Sequence, residues 1–357
     1  MRLIPHDDER DFTSMLRRLL STTAESARWA ALADAGVLGL SLPQRYGGSG
    51  ATLADLGAFS VEAGRHLCPT IVHGTIHAGL VVEALGTDGQ RGTLLPELSS
   101  GKLSATTALW SPVDAGIVAP VLEARRRGDA WTLHGAVDFV LDAEVADRVV
   151  VSGRDATSGC TSVFVVPRES AGLRAETLTL MGARGAARLC FDGVTVDDGH
   201  TMAGHGSEVT DERLQRLANT ATVLLCLDLV GTSEAALQRT VDHTVMRRQF
   251  GRPIASFQAA QHLVANMHIA VAAARLAAWA ALSALEEGQP ARRQTAVARM
   301  HAATAAKSVT LDAHQLHGGI GYVVDTDLHL YSERARVLST LGGGADIAAS
   351  WLEDVIT

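Results

Sequence analysis

The hydrophobic and polar positions of this chain follow three different patterns. Over residues 1 to about 100, apolar residues recur at helical spacing, which predicts one helix over 11–35 and another over 52–67. Gly, Ser and Pro interrupt the pattern between these helices, so residues 42–50 are predicted to form a loop. The first part of the chain is therefore expected to be helical.

The middle of the chain changes to short apolar bursts bounded by turn residues. This pattern predicts strands near residues 131–135, 147–152, 162–167 and 188–197. Several short strands at such spacing are typical of a small sandwich or barrel. Apolar residues return to helical spacing in the Ala-rich last part, at Ala260, Leu263, Val264, Met267, Val271 and Ala274.

The order of the elements is helices, then strands, then helices, which differs from the alternating βαβ order of a doubly wound sheet. We expect an α+β protein with three domains. The predicted domains are an N-terminal helical domain (1–103), a central small β-barrel or sandwich domain (104–205) and a C-terminal four-helix bundle (206–357).

Composition narrows the class of protein. The 357 residues carry a formal net charge of −8, and only 4% are aromatic, which argues against binding to nucleic acid. The four cysteines have no metal-binding or redox spacing, so reduced thiols are expected. Residues 1–10 become acidic at once and have no apolar core of a signal peptide. The most apolar stretch, 270–285, is interrupted by Arg275, which argues against a membrane span. A cytoplasmic protein without a membrane span is predicted.

Common catalytic motifs are missing from the sequence. It contains neither a P-loop nor a G-x-S-x-G nucleophile motif. His73 and His77 are four residues apart but lack the glutamate of a zinc protease. The other histidines are scattered along the chain, so no metal site is predicted.

Two segments of the last part carry candidate chemistry. In 247–259, arginines flank a helix that is predicted to end at Gly251, and Gln258 stands near the start of the next helix. Guanidinium groups and free backbone N–H groups suit an anion. In 315–322, glycines permit close approach to a ligand or partner. Either segment alone is also explained as an ordinary break between two helices.

Together, in this order, the segments resemble the R-x-x-F-G-x-P-I-x-x-F-Q and Q-x-x-G-G-x-G-Y signatures of the acyl-CoA dehydrogenase family. Residues 42–50 and 62–65 resemble its P-x-x-x-G-G-x-G and E-x-G motifs. The resemblance implies α,β-dehydrogenation of an acyl-CoA thioester by FAD, which lies across a subunit interface. By resemblance, the residues that contact the pyrophosphate and adenosine of a neighbour's FAD are Arg247, Phe250, Gln258, Gln315, Gly318 and Gly319.

The chain departs from the family where catalysis is expected. The usual glutamate base falls on Gly342, and the alternative position of some members falls near Ala221. The position of a CoA-contacting arginine is Thr222. Residues 106–116 match the family's T-E-P flavin loop only faintly. At the position of the family's W-I-T segment, this chain has Phe-Val-Leu, residues 139–141. Groups that serve the chain's own flavin and substrate are thus missing.

This pattern resembles the non-catalytic subunit of actinobacterial heteromeric enzymes, which are α2β2 assemblies that act on steroid side-chain CoA thioesters. The leading hypothesis is a subunit that completes the FAD site of a homologous catalytic partner, which binds most of the acyl-CoA. One alternative is a homo-oligomeric dehydrogenase with its base displaced to Glu234, Asp228 or Asp346. The simpler interpretation of Glu234 and Asp228 is solvated or interfacial helix residues. Another alternative is a non-enzymatic scaffold that binds acyl-CoA or protein and has lost FAD.

Overall fold

The computed structural model forms two compact units, each built from separate stretches of the chain. It describes residues 7–181, 185–202 and 209–356. The helical unit comprises residues 1–22, 57–68 and 222–357, and the mixed unit comprises residues 23–56 and 69–221. The three-domain boundaries near residues 103 and 205 stay a prediction.

The elements follow the predicted order of helices, strands and helices. The helices are α1 Asp7–Thr22, α2 Arg28–Asp34, α3 Leu53–Arg65, α4 Thr70–Leu85, α5 Asp88–Ser99, α6 Asp211–Met246, α7 Gln258–Glu286, α8 Arg292–His317, α9 Leu328–Leu338 and α10 Ala345–Ile356. The strands are β1 Ala105–Ala108, β2 Leu122–Arg127, β3 Ala130–Leu141, β4 Arg148–Asp155, β5 Thr161–Pro167, β6 Leu173–Thr179, β7 Gly185–Asp197, β8 Thr201–Met202, β9 Arg248–Gln249 and β10 Arg252–Pro253. This is the predicted α+β fold.

The first eight strands form a single sheet in the mixed unit. Its order is β6-β7-β3-β2-β4-β5-β8, and β1 pairs with β4. The pairs β1–β4 and β2–β4 are parallel, whereas the other neighbours are antiparallel. Trp131 and Phe164 meet edge to face in its core, with ring centroids 5.7 Å apart. The four strands predicted from apolar bursts are confirmed as β3, β4, β5 and β7.

The N-terminal helix is shorter than the sequence pattern predicts. The prediction of one helix over 11–35 is wrong, because α1 ends at Thr22 and α2 begins only at Arg28. At the break, the hydroxyls of Ser21 and Thr22 both donate to the carbonyl of Arg18, at 3.1 and 2.8 Å. Such side-chain bonds compete with continuation of a helix.

An ion-pair network joins three helices of the helical unit around the buried carboxylate of Glu62 on α3. Arg17 of α1 donates two hydrogen bonds to Glu62, at 2.8 and 3.1 Å. Arg65, one turn later on α3, lies 3.3 Å from Glu62 and also pairs with Glu234 of α6. The E-x-G motif of the sequence therefore supplies a charge that holds helices together.

Acid is expected to weaken this network. Burial alone would raise the pKa of Glu62, but hydrogen bonds from His66 and Arg17 and the charge of Arg65 outweigh it and lower the pKa to about 2. Because the folded-state pKa lies below the unfolded value, the stabilisation is complete above about pH 4.5 and is lost as pH falls towards 2.

We expect this loss to cost about 2 kcal/mol, since the half-exposed Arg17 is screened by solvent. Urea unfolding at pH 7, 4.5 and 3 measures it, with Glu62→Gln as the control that removes the titrating group. An equal pH dependence in Glu62→Gln would contradict the assignment.

Among the described residues, the helices α6 and α7 are long and apolar enough to cross a membrane by length and composition alone. Their most apolar windows are 78% and 39% buried inside the protein, respectively. A core helix of a soluble protein passes the same test, so this is weak support for a span. The sequence predicts that Arg275 interrupts the apolar stretch, but α7 passes the length and composition test although it contains this residue.

Candidate functional site

The arginine-rich segment forms a hairpin between two long helices of the helical unit. Helix α6 ends at Met246, so the prediction that it continues to Gly251 is wrong. Strands β9 and β10 pair across a two-residue turn, Phe250 and Gly251, with φ of 51° and 79°. Positive φ at both central residues is typical of the tight turns that suit β-hairpins. Helix α7 then begins at Gln258, as predicted.

Phe250 stands at the tip of this hairpin and is 92% exposed. Its ring meets Phe257 edge to face, with centroids 6.2 Å apart. A bulky aromatic residue at positive φ is a conformational outlier, and such strain is concentrated at functional sites. An exposed aromatic ring in a strained turn is suited to contact with something outside this chain.

The three arginines of the segment have different surroundings. Arg248 donates to the carbonyl of Gly251 at 3.1 Å, and the Arg252 guanidinium lies 4.1 Å from the centre of the Phe257 ring. Within the described part of the chain, the exposed Arg247 guanidinium has no hydrogen-bond or ion-pair partner. Arg247 is therefore the arginine that is available to an external anion.

The glycine segment follows the end of α8 in the same unit. Helix α8 ends at His317, and Gly318 has φ 61° and ψ −143°. A Cβ placed on Gly318 or Gly319 would meet no atom of the described residues within 4 Å. Crowding inside this chain thus explains neither glycine, and the open backbone leaves room for a ligand or a second chain. Gln315, on the last turn of α8, is also exposed.

The structure brings the arginine segment and the glycine segment together. His243, one turn before Arg247, stacks on His317, with ring centroids 4.3 Å apart and planes inclined by 21°. His314 stacks in turn on Tyr322, with centroids 4.6 Å apart. Histidines that are scattered along the sequence thus stack on aromatic rings in the fold, and the signal for this in the sequence is their adjacency to the two motifs.

The loop at the family's usual base position is built around glycines. Gly342 is buried, with φ 70°. The buried guanidinium of Arg299 donates to the carbonyls of Leu338, Leu341 and Gly343, at 2.9, 2.6 and 2.8 Å. A glutamate at position 342 would need a positive φ that L-residues rarely adopt. The position therefore has neither a carboxylate nor a backbone suited to one.

The alternative base position also has no carboxylate. Ala221 is buried on α6 and is followed by the buried Thr222. Asp346, one of the candidate displaced bases, lies exposed in the first turn of α10.

The two remaining candidates are held in ion pairs. Asp228 is fully buried, and Arg334 donates to both of its carboxylate oxygens, from Nε at 2.7 Å and from Nη2. The interpretation of Asp228 as a solvated or interfacial residue is therefore wrong. Glu234 pairs with Arg65 and, at 2.6 Å, with Arg275, and it is 17% exposed. Both carboxylates serve the packing of helices.

The loop that corresponds to the T-E-P segment follows β1 in the mixed unit. It closes through a hydrogen bond from the Ser111 backbone to Ile117 O at 2.9 Å. The Thr106 hydroxyl donates to the carbonyl of Leu141 at 2.8 Å. Leu141 itself presents an apolar side chain where the family has a threonine hydroxyl, so it cannot donate a hydrogen bond. Phe139 is exposed at φ 54°, beside an irregularity in the β3–β7 pairing.

Of the spaced histidines on α4, His77 is a core residue. Its ring nitrogens lie 3.1 Å from Thr107 Oγ1 and 3.1 Å from the Leu217 carbonyl. Burial lowers the pKa of His77 to about 4, despite the Leu217 hydrogen bond. Searching the described ranges finds no group of three or more His, Cys, Asp or Glu residues that could hold a metal ion.

Comparison with known proteins gives the same family as the motifs. The sequence profiles of the acyl-CoA dehydrogenase N-terminal and C-terminal domains match residues 7–102 and 204–356. The 3-sulfinopropanoyl-CoA desulfinase of Paraburkholderia xenovorans is 31% identical over 338 residues, which cover 89% of this chain and 84% of that protein. This chain belongs to the acyl-CoA dehydrogenase family. Members of the family are FAD-binding flavoproteins, and FAD is the cofactor.

Two solved structures that each combine two named proteins share the fold. The Tcur3481–Tcur3483 steroid acyl-CoA dehydrogenase has a TM-score of 0.88 and 28% identity, with 98% of each chain covered. The ChsE4–ChsE5 complex of Mycobacterium tuberculosis has a TM-score of 0.87 and 25% identity, covering 99% of this chain and 98% of that one. The fold of an acyl-CoA dehydrogenase is thus shown along almost the whole chain.

Proposed function

We propose that this chain is the non-catalytic subunit of a heteromeric acyl-CoA dehydrogenase. It supplies the pyrophosphate and adenosine half of an FAD site to a homologous catalytic subunit. One observation carries the proposal. The residues that would serve a neighbour's FAD are exposed and available, whereas the two positions for a base hold Gly342 and Ala221.

The described residues fit this half of FAD. The free guanidinium of Arg247 suits a pyrophosphate, because such contacts are charge-assisted and bidentate. The uncrowded backbone at Gly318 and Gly319 leaves space for the cofactor, with the exposed Gln315 and Gln258 as hydrogen-bonding groups. The acceptor for the hydride that leaves the acyl-CoA would be supplied by bound FAD. This chain's own part is to hold and orient the cofactor.

The surroundings of the site support a subunit contact. Next to the glycine segment, four apolar side chains are exposed, Ile320, Tyr322, Val323 and Val324. Phe250 is a further exposed apolar side chain of the helical unit, and clustered exposed apolar residues such as 320–324 are typical of protein–protein contacts. We therefore assign this region to the contact with the catalytic subunit.

The finer properties of the assembly follow from the same proposal. The two structures with paired proteins support a heteromeric assembly, for which we propose an α2β2 arrangement, and the Tcur3481–Tcur3483 enzyme supports a steroid-derived acyl-CoA as substrate. The catalytic subunit would bind most of that substrate, in the cytoplasm. The ion pairs of Asp228 and Glu234 argue against a displaced base in this chain.

Replacing Arg247 with alanine should weaken FAD binding in the purified complex. Loss of a charge-assisted hydrogen bond costs about 1.5–3 kcal/mol, which is a rise of about tenfold to a hundredfold in the dissociation constant. Flavin fluorescence during dilution measures it. Arg293→Ala, which removes an exposed arginine of α8, is the charge-matched control and should bind FAD normally. Unchanged FAD affinity in Arg247→Ala would contradict the assigned role.

A further inference from the structure

Two stacked histidines lie between the proposed FAD-binding segments. The backbone N–H of Arg247 donates to the carbonyl of His243 at 2.8 Å, so the two residues are one helical turn apart on α6. The His243 ring lies on that of His317, the residue directly before Gly318. Both rings are half-buried. The stack therefore adjoins the arginine and the open glycine backbone.

Some ring nitrogens of the two stacked histidines have no hydrogen-bond partner among the described residues. His317 Nδ1 lies 2.7 Å from the carbonyl of Ala313, which fixes Nδ1 as the donor and leaves Nε2 free for another partner. Neither ring nitrogen of His243 has a hydrogen-bond partner anywhere in the described ranges. Half-buried imidazoles with unused nitrogens are suited to bind a ligand that enters beside them.

The surroundings oppose a positive charge on the stack in the absence of a ligand. Burial, followed by His317 and Arg247, lowers the pKa of His243. On the α8 side, burial lowers the pKa of His314; a hydrogen bond with the Gly321 backbone opposes this, and His317 and His329 of α9 add smaller lowering contributions. Among the described residues, no carboxylate contributes to either shift.

The nearest charged side chains on α6 are already engaged. Arg239, one turn before His243, donates to the carbonyl of Thr326 at 3.2 Å. Asp242 accepts a hydrogen bond from Gln238 at 2.9 Å on its own helix. Since no carboxylate of the described residues contributes to the pKa of His243 or His314, a bound anion would supply the negative counter-charge of the stack.

We propose that the His243–His317 stack forms part of the FAD pyrophosphate site and takes up a proton when the cofactor binds. The inference rests on the proposed function. Before binding, burial, His317 and Arg247 lower the pKa of His243. The pyrophosphate brings negative charge, which favours the imidazolium form, and the protonated ring donates an N–H to a phosphate oxygen.

The pH dependence of FAD binding by the complex tests this inference. We expect the FAD dissociation constant of the wild-type complex to rise between pH 6 and pH 8, by at most about tenfold per pH unit for one linked proton. His243→Asn and His317→Gln should each flatten this slope and bind FAD more weakly at pH 6. His301→Gln removes an exposed histidine of α8 and should keep the wild-type slope. Thermal unfolding of each complex shows whether the variant is folded.

A flat profile in the wild type, or an unchanged slope in both folded histidine variants, would overturn the inference and leave the proposed function standing. Arg247→Ala should instead weaken FAD at every pH. A wild-type complex that binds no FAD at any pH would overturn the proposed function and this inference together.

Discussion

Replacing Gly231 with alanine should destabilise the helical unit by about 3 kcal/mol or more. A Cβ at Gly231 on α6 would lie 1.8 Å from the carbonyl oxygen of Val61 on α3. The contact is reciprocal, because a Cβ at Gly64 would lie 1.9 Å from the carbonyl oxygen of Asp228. Both obstacles are backbone atoms, so the helices themselves would have to separate. This also explains the glycine of the E-x-G motif.

Urea unfolding of the complex with each variant measures the effect. Gly92→Ala is the matched control. Gly92 lies on helix α5, and a Cβ there would meet no atom of the described residues within 4 Å. Removing a glycine from an open helix position should stabilise by about 0.5–1 kcal/mol. If Gly231→Ala were as stable as Gly92→Ala, the close crossing of α3 and α6 would be wrong.

Asp228→Asn is expected to cost about 3–5 kcal/mol of unfolding free energy. The Asp228 carboxylate and the Arg334 guanidinium are both fully buried, and Arg334 also donates to the Cys68 carbonyl at 2.8 Å. Neutralising the carboxylate leaves the guanidinium buried without its counter-charge, which is more costly than loss of the bond itself.

The double variant Asp228→Leu with Arg334→Met is the informative comparison for this pair. Removing both charges leaves no uncompensated ion, so the double variant should lose less stability than Asp228→Asn alone. The thermal midpoints of the two complexes give the order directly. A double variant that is less stable than the single one would contradict this expectation. It would show that the ion pair stabilises the fold by more than the neutralisation of two buried charges.

The strands and long helices of this fold could be predicted from the sequence because their apolar residues repeat with distinct periods. The valine-rich β5 and the Ala-rich α7 and α8 are examples. The end of α1 and the end of α6 could not be predicted. One depends on hydroxyls that bond the backbone, and the other on a two-residue turn with Phe250 at positive φ, which composition does not favour.

The site residues Arg247, Phe250, Gln258 and the glycine pair come from the resemblance to the family's motifs, and their role stays a prediction. Their exposure agrees with a role towards another molecule. The stack of His243 on His317 was not predictable, because it depends on how the end of α6 packs against the end of α8.

The ion pairs of the remaining candidate carboxylates could not be predicted from the sequence either. The sequence places Asp228 on a helix as one more acidic residue, and only tertiary packing brings Arg334 to it. That Gly342 stands at the family's usual base position could be predicted from the family motif. The Arg299 hydrogen bonds that fix the same loop could not.

The flavin content of this chain, purified alone and together with a homologous catalytic subunit, tests the central proposal most directly. Visible absorbance and acyl-CoA-dependent dye reduction are recorded on both samples. We expect the lone chain to be colourless and inactive, and the complex to hold one FAD per pair of subunits and to turn over. Full flavin loading and turnover by the lone chain would contradict the proposed role, and a colourless complex would favour a scaffold without FAD.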